Sequence, residues 1–370
     1  MTIGILKESG YETRVALLPE IVKILVTMRT VVCVEHGAGE KAYAADADYT
    51  AAGARMVSRD EVIRLADLLV KIHPPEKNDL DLMAGGKVLV ATLDPYNNTG
   101  LIKELIARNI TSFSMELMPR TTRGQAMDIL SSQATVAGYK AVLDAAFQLP
   151  HFMMMFMSAA GTIKPARVLV LGAGVAGLQA ISTARKLGAI VEAFDVRKAA
   201  KQEVESLGAK FVEVEGSRDD INAGGYAVEQ DEEYMLRQAR IIHEHAAKAN
   251  IIICTAQIPG KHAPVLIARK TVESMLPGSV IVDLAASAGG NCELTKDQEV
   301  VVHNSVRIIG RSDYPSDMSH DASKMFGKNI LNFLQLIIDS EGNINLNFED
   351  ELVNGTCLTH NRKVMHERFN

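Results

Sequence analysis

Residues 166–197 read ARVLVLGAGVAGLQAISTARKLGAIVEAFDVR, and their order decides the fold class. An apolar, β-rich run from Arg167 to Leu171 meets Gly172, Gly174 and Gly177; helix-forming sequence follows, and a second β-rich run, Ile190 to Phe194, ends on Asp195. This is GxGxxG placed between a strand and a helix, the context in which the motif has a mechanism. Gly172 permits the tight turn, Gly174 lets the backbone approach a pyrophosphate, and Gly177 lets helix and strand pack closely. The helix N-terminus then faces the phosphates with unpaired N–H groups. Asp195 stands 18 residues after Gly177, where a carboxylate accepts hydrogen bonds from the adenosine ribose hydroxyls. The same charge repels a 2′-phosphate, so NAD(H) is expected over NADP(H). Arg197, two residues further on, is the feature that could favour phosphate. A purely structural turn, with Asp195 as a cap, is the competing reading.

Working outward, short apolar runs alternate with helix-period segments along nearly the whole chain, the pattern of parallel sheets with crossover helices. One series of strands runs through Thr2–Leu6, Val31–Glu35, Leu68–Ile72, Lys87–Thr92 and Ser112–Leu117, with helices such as Pro19–Met28 and Gly100–Arg108 between them. A second series begins at Arg167–Leu171 and continues through Ile190–Phe194, Lys210–Val214, Ile251–Thr255, Ser279–Asp283 and Val306–Ile309. Between the series, Gln125–Phe147 lacks proline and reads as helical, which places the first crossing between domains there. The segment Lys324–Asp339 carries Phe326, Ile330, Phe333, Leu334 and Ile337 on one helical face, which suggests a long return helix. The fold class is therefore α/β: two doubly wound, Rossmann-like domains with a cleft between them. The first spans residues 1–130 and is completed by 319–370; the second spans 131–318. A dinucleotide would lie at the carboxyl ends of the second domain's strands.

The bulk properties agree and exclude other classes. At 370 residues the chain exceeds what one hydrophobic core usually serves, and 47% hydrophobic against 23% charged residues rules out wholesale disorder. A net charge of −6 offers no basic footprint for nucleic acid. Cys33, Cys254, Cys292 and Cys357 lack CxxC spacing and neighbouring histidines, so neither a metal site nor a disulfide framework is expected. The opening MTIGILKESGYETR meets charge too early for a secretory signal, and the apolar stretch around Met153–Ala160 is too short to span a bilayer. The connection Glu215–Val228, EGSRDDINAGGYAV, is long and polar for an α/β unit. Gly224 and Gly225 would let Tyr226 swing across a nucleotide as a lid does, although a surface insertion without a role explains the stretch as well.

Several motifs together resemble the NAD(H)-binding component of proton-translocating transhydrogenases, over essentially the whole chain. They are GILKESGYETRVALLP at the start, PRTTRGQAMDILSSQATVAGYKAV at 119–142, LGAGVAGLQAI, AGGYA, IPGKHAPVLI, PGSVIVDLAASAGGN and KNILNFL. The opening and the dinucleotide loop are shared with the related alanine dehydrogenases; the segment at Arg120 separates the two. The resemblance implies that Arg120, Gln125, Asp128 and Ser131 surround the nicotinamide. Gln125, Asp128 and Ser131 recur at three-residue steps and would share one face of a helix, and the set supplies the donors and acceptors that a carboxamide needs. Without the resemblance, an ordinary polar helix face explains them.

The resemblance further implies contacts by Val175 in the dinucleotide loop, by Asp195, Val196 and Arg197 at the ribose, by Gly225 and Tyr226 in a mobile loop, and by Gln238. Gln257 departs from the family, which carries leucine there against the adenosine, so that contact has become polar or is lost. Alanine dehydrogenase is the enzyme alternative, and its chemistry needs a cation for the substrate carboxylate and a proton-transfer group. In LVKIHPPE, His73 stands where that family has lysine, and in TLDPYNN, Asp94 or a neighbour stands where it has histidine; Arg14 is retained. Direct transfer of hydride between two nicotinamides needs no such groups, only positioning and exclusion of water. The implied activity is hydride transfer from NADH to NADP+ on a partner's NADP(H)-binding domain. Proton movement would belong to a membrane-spanning partner subunit. A homodimer is implied, cytoplasmic and peripherally associated with the inner membrane. Because the sequence stops soon after Gly355 and Thr356 without a membrane helix, a split enzyme is expected. A non-catalytic NAD-binding sensor is the third possibility.

Overall fold

The computed structural model describes residues 1–216, 231–258 and 260–369. The chain forms two compact units, Met1–Gln133 with Pro315–Asn370, and Ala134–Tyr314.

In the first unit, apolar residues fill both faces of a parallel sheet, as burial between crossover helices demands. Its strands are β1 (Thr2–Ile5), β2 (Val31–Glu35), β3 (Arg55–Val57), β4 (Leu68–Val70), β5 (Val88–Ala91) and β6 (Thr111–Ser114). On one face Ile3, Ile5, Val32, Val34, Val70 and Val90 pack with Ile21, Val22 and Leu25 of the helix Pro19–Thr27. On the other, Cys33, Leu69 and Leu89 pack with Val62 and Ile63, and with Leu101, Ile102 and Leu105 of the helix Thr99–Ala107.

The second unit begins within the helix Ile129–Gln148, which is followed by a hairpin of two exposed strands, β7 (Phe156–Ser158) and β8 (Gly161–Ile163). Its main sheet comprises β9 (Arg167–Leu171), β10 (Ile190–Phe194), β11 (Lys210–Phe211), β12 (Ile251–Cys254), β13 (Val280–Asp283), β14 (Glu299–His303) and β15 (Val306–Gly310). The spatial order is β11-β10-β9-β12-β13-β15-β14, parallel throughout except for β14. Val168, Val170, Val191, Ile251 and Val282 face Ala137, Ala141 and Ala145 of the helix Ile129–Gln148 and Ala180, Ile181 and Ala184 of the helix Val175–Lys186. Leu169, Phe194, Ile252 and Ile281 face Tyr234, Ile242 and Ala246 of the helix Glu232–Ala246.

The chain then rejoins the first unit through the helix Ser319–Ile337, whose Phe326, Ile330, Phe333, Leu334 and Ile337 are buried in that unit's core. Phe333 meets Phe113 of β6 edge-on, with ring centroids 5.1 Å apart. Strand β16 (Cys357–His360) adds antiparallel to β6 and β17 (Lys363–Val364) antiparallel to β16, giving the order β17-β16-β6-β5-β4-β1-β2-β3. In both sheets the order therefore runs outward from the first strand and reverses beside it, between β1 and β4 and between β9 and β12.

One local expectation is corrected. Gln125–Phe147 is not one helix: a 3-10 turn covers Gly124–Met127, Asp128 is extended with φ −75° and ψ 94°, and the α-helix starts at Ile129. Asp128 caps that helix instead of lying on its face.

Candidate dinucleotide site

The second unit's switch point is built from three strand ends. Leu171 closes β9, and Gly172 turns the chain at φ +100°, a backbone conformation that costs an L-residue roughly 1–2 kcal/mol. A Cβ at Gly172 would also stand 2.6 Å from Thr255 Oγ1 beyond β12. At Gly177 a Cβ would stand 1.9 Å from the Gly172 carbonyl oxygen, so strand and helix close on each other only because neither position has a side chain. Gly174 differs: a Cβ there would meet nothing within 4 Å. The protein leaves this approach open, and Gly174 is the residue before the first helical position, Val175, which is 41% exposed. An open glycine leading into the helix Val175–Lys186, with its dipole and unpaired N–H groups, fits a pyrophosphate.

Asp195 follows β10. Its side chain is nearly buried and accepts four donors: the Ala173 amide at 2.7 Å and Arg197 Nη2 at 2.9 Å on Oδ2, and the Arg197 amide and Nε at 2.9 Å each on Oδ1. The bond to Ala173 fastens the carboxylate to the glycine loop itself. Val196 lies between the two paired residues and is half-buried.

Across the switch point, Thr255 Oγ1 donates to the carbonyl oxygens of Gly172 at 2.9 Å and Leu171 at 3.2 Å, tying the loop to β12. Gln257 is exposed just beyond. Its stretch is held by buried Asn291, which accepts from the Ala256 amide at 3.0 Å and donates to the Ala256 and Pro264 carbonyls at 2.8 Å each. Asn291 is in turn set by buried Asp283 at the end of β13, which accepts from the amides of Asn291, Cys292 and Ala285 and from Thr295 Oγ1. Burial pushes the Asp283 carboxyl up, against the pull of Thr295 and these amides. Thr255, Asn291 and Asp283 were not singled out from sequence; the runs TAQIPGK and DLAASAGGN contain them without showing that a carboxylate would organise a loop. Gly138 was missed as well. A Cβ there would stand 2.1 Å from the Ala176 carbonyl, so the helix Ile129–Gln148 touches the backbone of the dinucleotide helix. A glycine inside VAGYKAV was the available signal.

Gln238 is half-buried on the helix Glu232–Ala246. Gly225 and Tyr226, and with them the lid reading, lie outside the described residues.

The other four candidates belong to the first unit. Arg120 is exposed, and Gln125 is exposed in the 3-10 turn. Asp128 Oδ1 accepts the Ser131 amide at 2.9 Å and Oδ2 accepts Ser131 Oγ at 2.6 Å, an N-terminal cap that orients both side chains. In the same turn Gln133 accepts from Arg14 Nη1 at 2.7 Å and donates to the Ala322 carbonyl at 3.1 Å.

At the carboxyl edge of the first sheet the ionisable groups are spent on one another. Glu12 accepts Arg14 Nε at 2.8 Å and Nη2 at 2.6 Å, His73 Nε2 lies 2.6 Å away, and Ser316 Oγ donates at 2.9 Å. Burial acts to raise the Glu12 carboxyl, but Arg14 and His73 outweigh it and hold it well below the usual carboxylate range. Glu8 and Lys71 form a second pair at 3.4 Å, each side chain 1% exposed. Asp94 has φ +49° and accepts from Asn97 in its own turn. Arg14 and His73 are thus both engaged by the Glu12 carboxylate.

Comparison with known proteins places the chain in a family. Residues 4–137 match the N-terminal domain, and residues 141–367 the C-terminal domain, of the alanine dehydrogenase/PNT family. The chain belongs to this family. Within it, the chain is 46% identical to the first portion of NAD(P) transhydrogenase subunit alpha from Rhodospirillum rubrum, over 99% of this chain and 98% of that one. It is similar to the solved structure of transhydrogenase from Sinorhizobium meliloti, at 44% identity and a TM-score of 0.90, covering 98% of this chain and all of that one. Likeness to the alanine dehydrogenase of Mycolicibacterium smegmatis is weaker, 31% identity over 78% of this chain and 74% of that one.

Proposed function

We propose that the chain is the NAD(H)-binding subunit of a proton-translocating transhydrogenase, giving up hydride from NADH to NADP+ held by a partner subunit. The observation that carries the reading is the loop Gly172–Gly177, open at Gly174 and fastened at Ala173 to the Asp195 carboxylate. Its backbone N–H groups bind pyrophosphate, and Asp195 receives the adenosine ribose, with Val175, Val196, Gln238 and Gln257 around that half of the nucleotide. When bound, the nicotinamide supplies the hydride itself. The protein's role is to orient the ring and keep water away. Arg120, Gln125, Asp128 and Ser131 hold the carboxamide, the last two already locked together by the cap. The pairing of Glu12 with Arg14 and His73 supports hydride exchange over amino-acid oxidation, since the receiving cation is engaged.

A homodimer belongs to the same reading. The hairpin β7–β8 exposes Phe156, Met157 and Ile163, with Phe152 stacked on Phe156 at 5.1 Å. An apolar patch of this kind suits a second copy of the chain. Among the described residues no helix is long and apolar enough to cross a membrane. We assign proton movement to membrane-spanning partner subunits, with this chain held at the cytoplasmic face of the inner membrane.

The test is single-turnover hydride transfer by stopped flow, with the chain mixed with an NADP(H)-binding transhydrogenase domain. Replacing Arg120, Gln125, Asp128 or Ser131 by alanine should slow the step on the order of 100-fold through misplaced reactants, with NADH binding largely kept. Parent rates in all four variants at saturating NADH would remove the nicotinamide assignment and favour a non-catalytic sensor.

A further inference from the structure

The two main sheets end in four edges, and three of them are blunted. Strand β3 has three residues and β11 and β17 two each, and they begin with Arg55, Lys210 and Lys363. Short strands with basic side chains are the ordinary protection for unpaired backbone N–H and C=O groups. The fourth edge, β14, is built differently. It runs five residues, EVVVH, contains neither lysine nor proline, and among the described residues pairs only with β15.

Its side chains alternate between two faces. Val301 is half-buried against the cluster of Ile252, Ile281 and Ile308, and His303 Nε2 lies 3.0 Å from Glu273, so Glu299, Val301 and His303 share that face. Val300 and Val302 share the other and are left bare, 55% and 63% exposed. Val300 is the cross-strand neighbour of Ile309, which belongs to the cluster of Ala137, Ala141 and Ala145. The bare face therefore lies on the side of the sheet covered by the helix Ile129–Gln148, the helix that leads to the hairpin β7–β8.

We infer that β14 pairs antiparallel with β14 of a second copy about a two-fold axis at Val301, joining the two sheets edge to edge. The inference rests on the homodimer reading and deepens it by naming the strand that pairs. In this register Val301 faces Val301 of the second copy, Val300 faces Val302, and Glu299 faces His303. The strand is complementary to itself, as a two-fold interface requires: two valine pairs cover the bare face, and an acidic residue meets a basic one at each end. With Nε2 on Glu273, His303 keeps Nδ1 for Glu299 of the second copy. The pair of Glu299 with Lys296, at 3.6 Å and with both side chains more than half exposed, is too weak to hold Glu299 elsewhere. The limits of the strand agree. Gln298 at φ +58° and Asn304 at φ +49° break it at equal distances from Val301, so neither copy overhangs the other.

The experiment combines sedimentation velocity with cysteine cross-linking of the full-length chain. Facing residues of an antiparallel pair have Cα atoms about 4.5–5.5 Å apart, within the span of a disulfide. The four native cysteines are buried and give no background. Under mild oxidation Val301→Cys should run as a cross-linked dimer on non-reducing gels. Val300→Cys and Val302→Cys should cross-link when the two are mixed, and hardly at all alone. Val300→Lys/Val302→Lys sets lysine against lysine twice and should weaken dimerisation by on the order of 100-fold. Circular dichroism and NADH titration should match the parent in every variant, since these side chains are remote from the glycine loop. A dimer that Val301→Cys fails to cross-link, that persists unweakened in the folded lysine variant, or that Val300→Cys alone cross-links as well as Val301→Cys does, would overturn the inference while leaving the homodimer reading in place. A parent that sediments as a monomer at every concentration would instead overturn the homodimer reading itself.

Discussion

The two sheets share the order of their first five strands but differ where that order reverses. In the second unit β9 passes through Gly172, Ala173 and Gly174 straight into a helix, so the switch point presents backbone N–H groups and a helix N-terminus. In the first unit β1 is followed by the long segment 6–18 before the helix Pro19–Thr27, and no helix starts beside the strand end. Its edge is filled by side chains instead: Glu8 with Lys71, and Glu12 with Arg14 and His73. Topology makes a crevice in both places. Whether the crevice receives an anion or satisfies itself depends on a few residues after the first strand.

The comparison is broken most directly at Lys71. Replacing it by methionine strands Glu8 as an uncompensated buried charge and should cost about 3–5 kcal/mol, read as an earlier midpoint in urea unfolding. Glu8→Gln/Lys71→Met should recover most of that loss. The folded fraction of Lys71→Met should still titrate with NADH as the parent does, since the dinucleotide loop belongs to the other unit. If unfolding is unchanged, the first edge is not held by its ion pairs and the contrast fails.

A pair of glycines sharpens it further. At Gly4 in β1 a Cβ would meet Leu69 Cδ2 at 2.7 Å and the side chains of Ala66 and Val62 at 2.8 Å; at Gly177 it would meet the Gly172 carbonyl at 1.9 Å. Both alanine variants should lose about 1–3 kcal/mol by overpacking. Only Gly177→Ala should also weaken NADH binding, because it pushes apart the loop that meets the pyrophosphate. Equal NADH affinities by fluorescence titration would mean that the loop's closeness is structural alone.

Periodicity and glycine spacing made the parallel strands legible, and Val31–Glu35, Arg167–Leu171 and Ile190–Phe194 have the bounds read from sequence. Short edge elements were not legible. Strands β3, β16 and β17 run two to four residues, too few to show a period, and the hairpin β7–β8 lies in a run whose methionines suggest only apolarity. The dinucleotide loop could be read because its glycines act locally. Asp283 and Asn291 could not, since their partners, backbone groups apart from Thr295 Oγ1, are brought near by the fold. The break at Asp128 was hidden for a related reason: aspartate favours a cap but also occurs within helices, and three-residue spacing does not distinguish them.

The smallest effect we expect concerns two buried carboxylates of opposite character. Glu12 is held below the usual range by Arg14 and His73 in spite of its burial, so the folded chain binds this proton less readily than the unfolded one. Its contribution is complete above the unfolded value of about 4.3 and is lost as pH falls from there toward the folded value. Asp283 is pushed up by burial, so the folded chain binds that proton more readily, and stability is lost as pH rises from about 3.9 toward its folded value. Urea midpoints measured from pH 5 down to pH 3 should therefore converge between the parent and Glu12→Gln, by on the order of 1 kcal/mol per pH unit below 4.3. Asp283→Asn removes a loss present at the upper end of that range, so its difference from the parent should drift in the opposite direction. Other carboxylates, including Glu192 with its partners His245, Arg167 and Lys210, add the same background to all three proteins and cancel in the differences. Parallel drifts for the two variants would show that one rule governs both edges, with the carboxylate in each answering to burial alone.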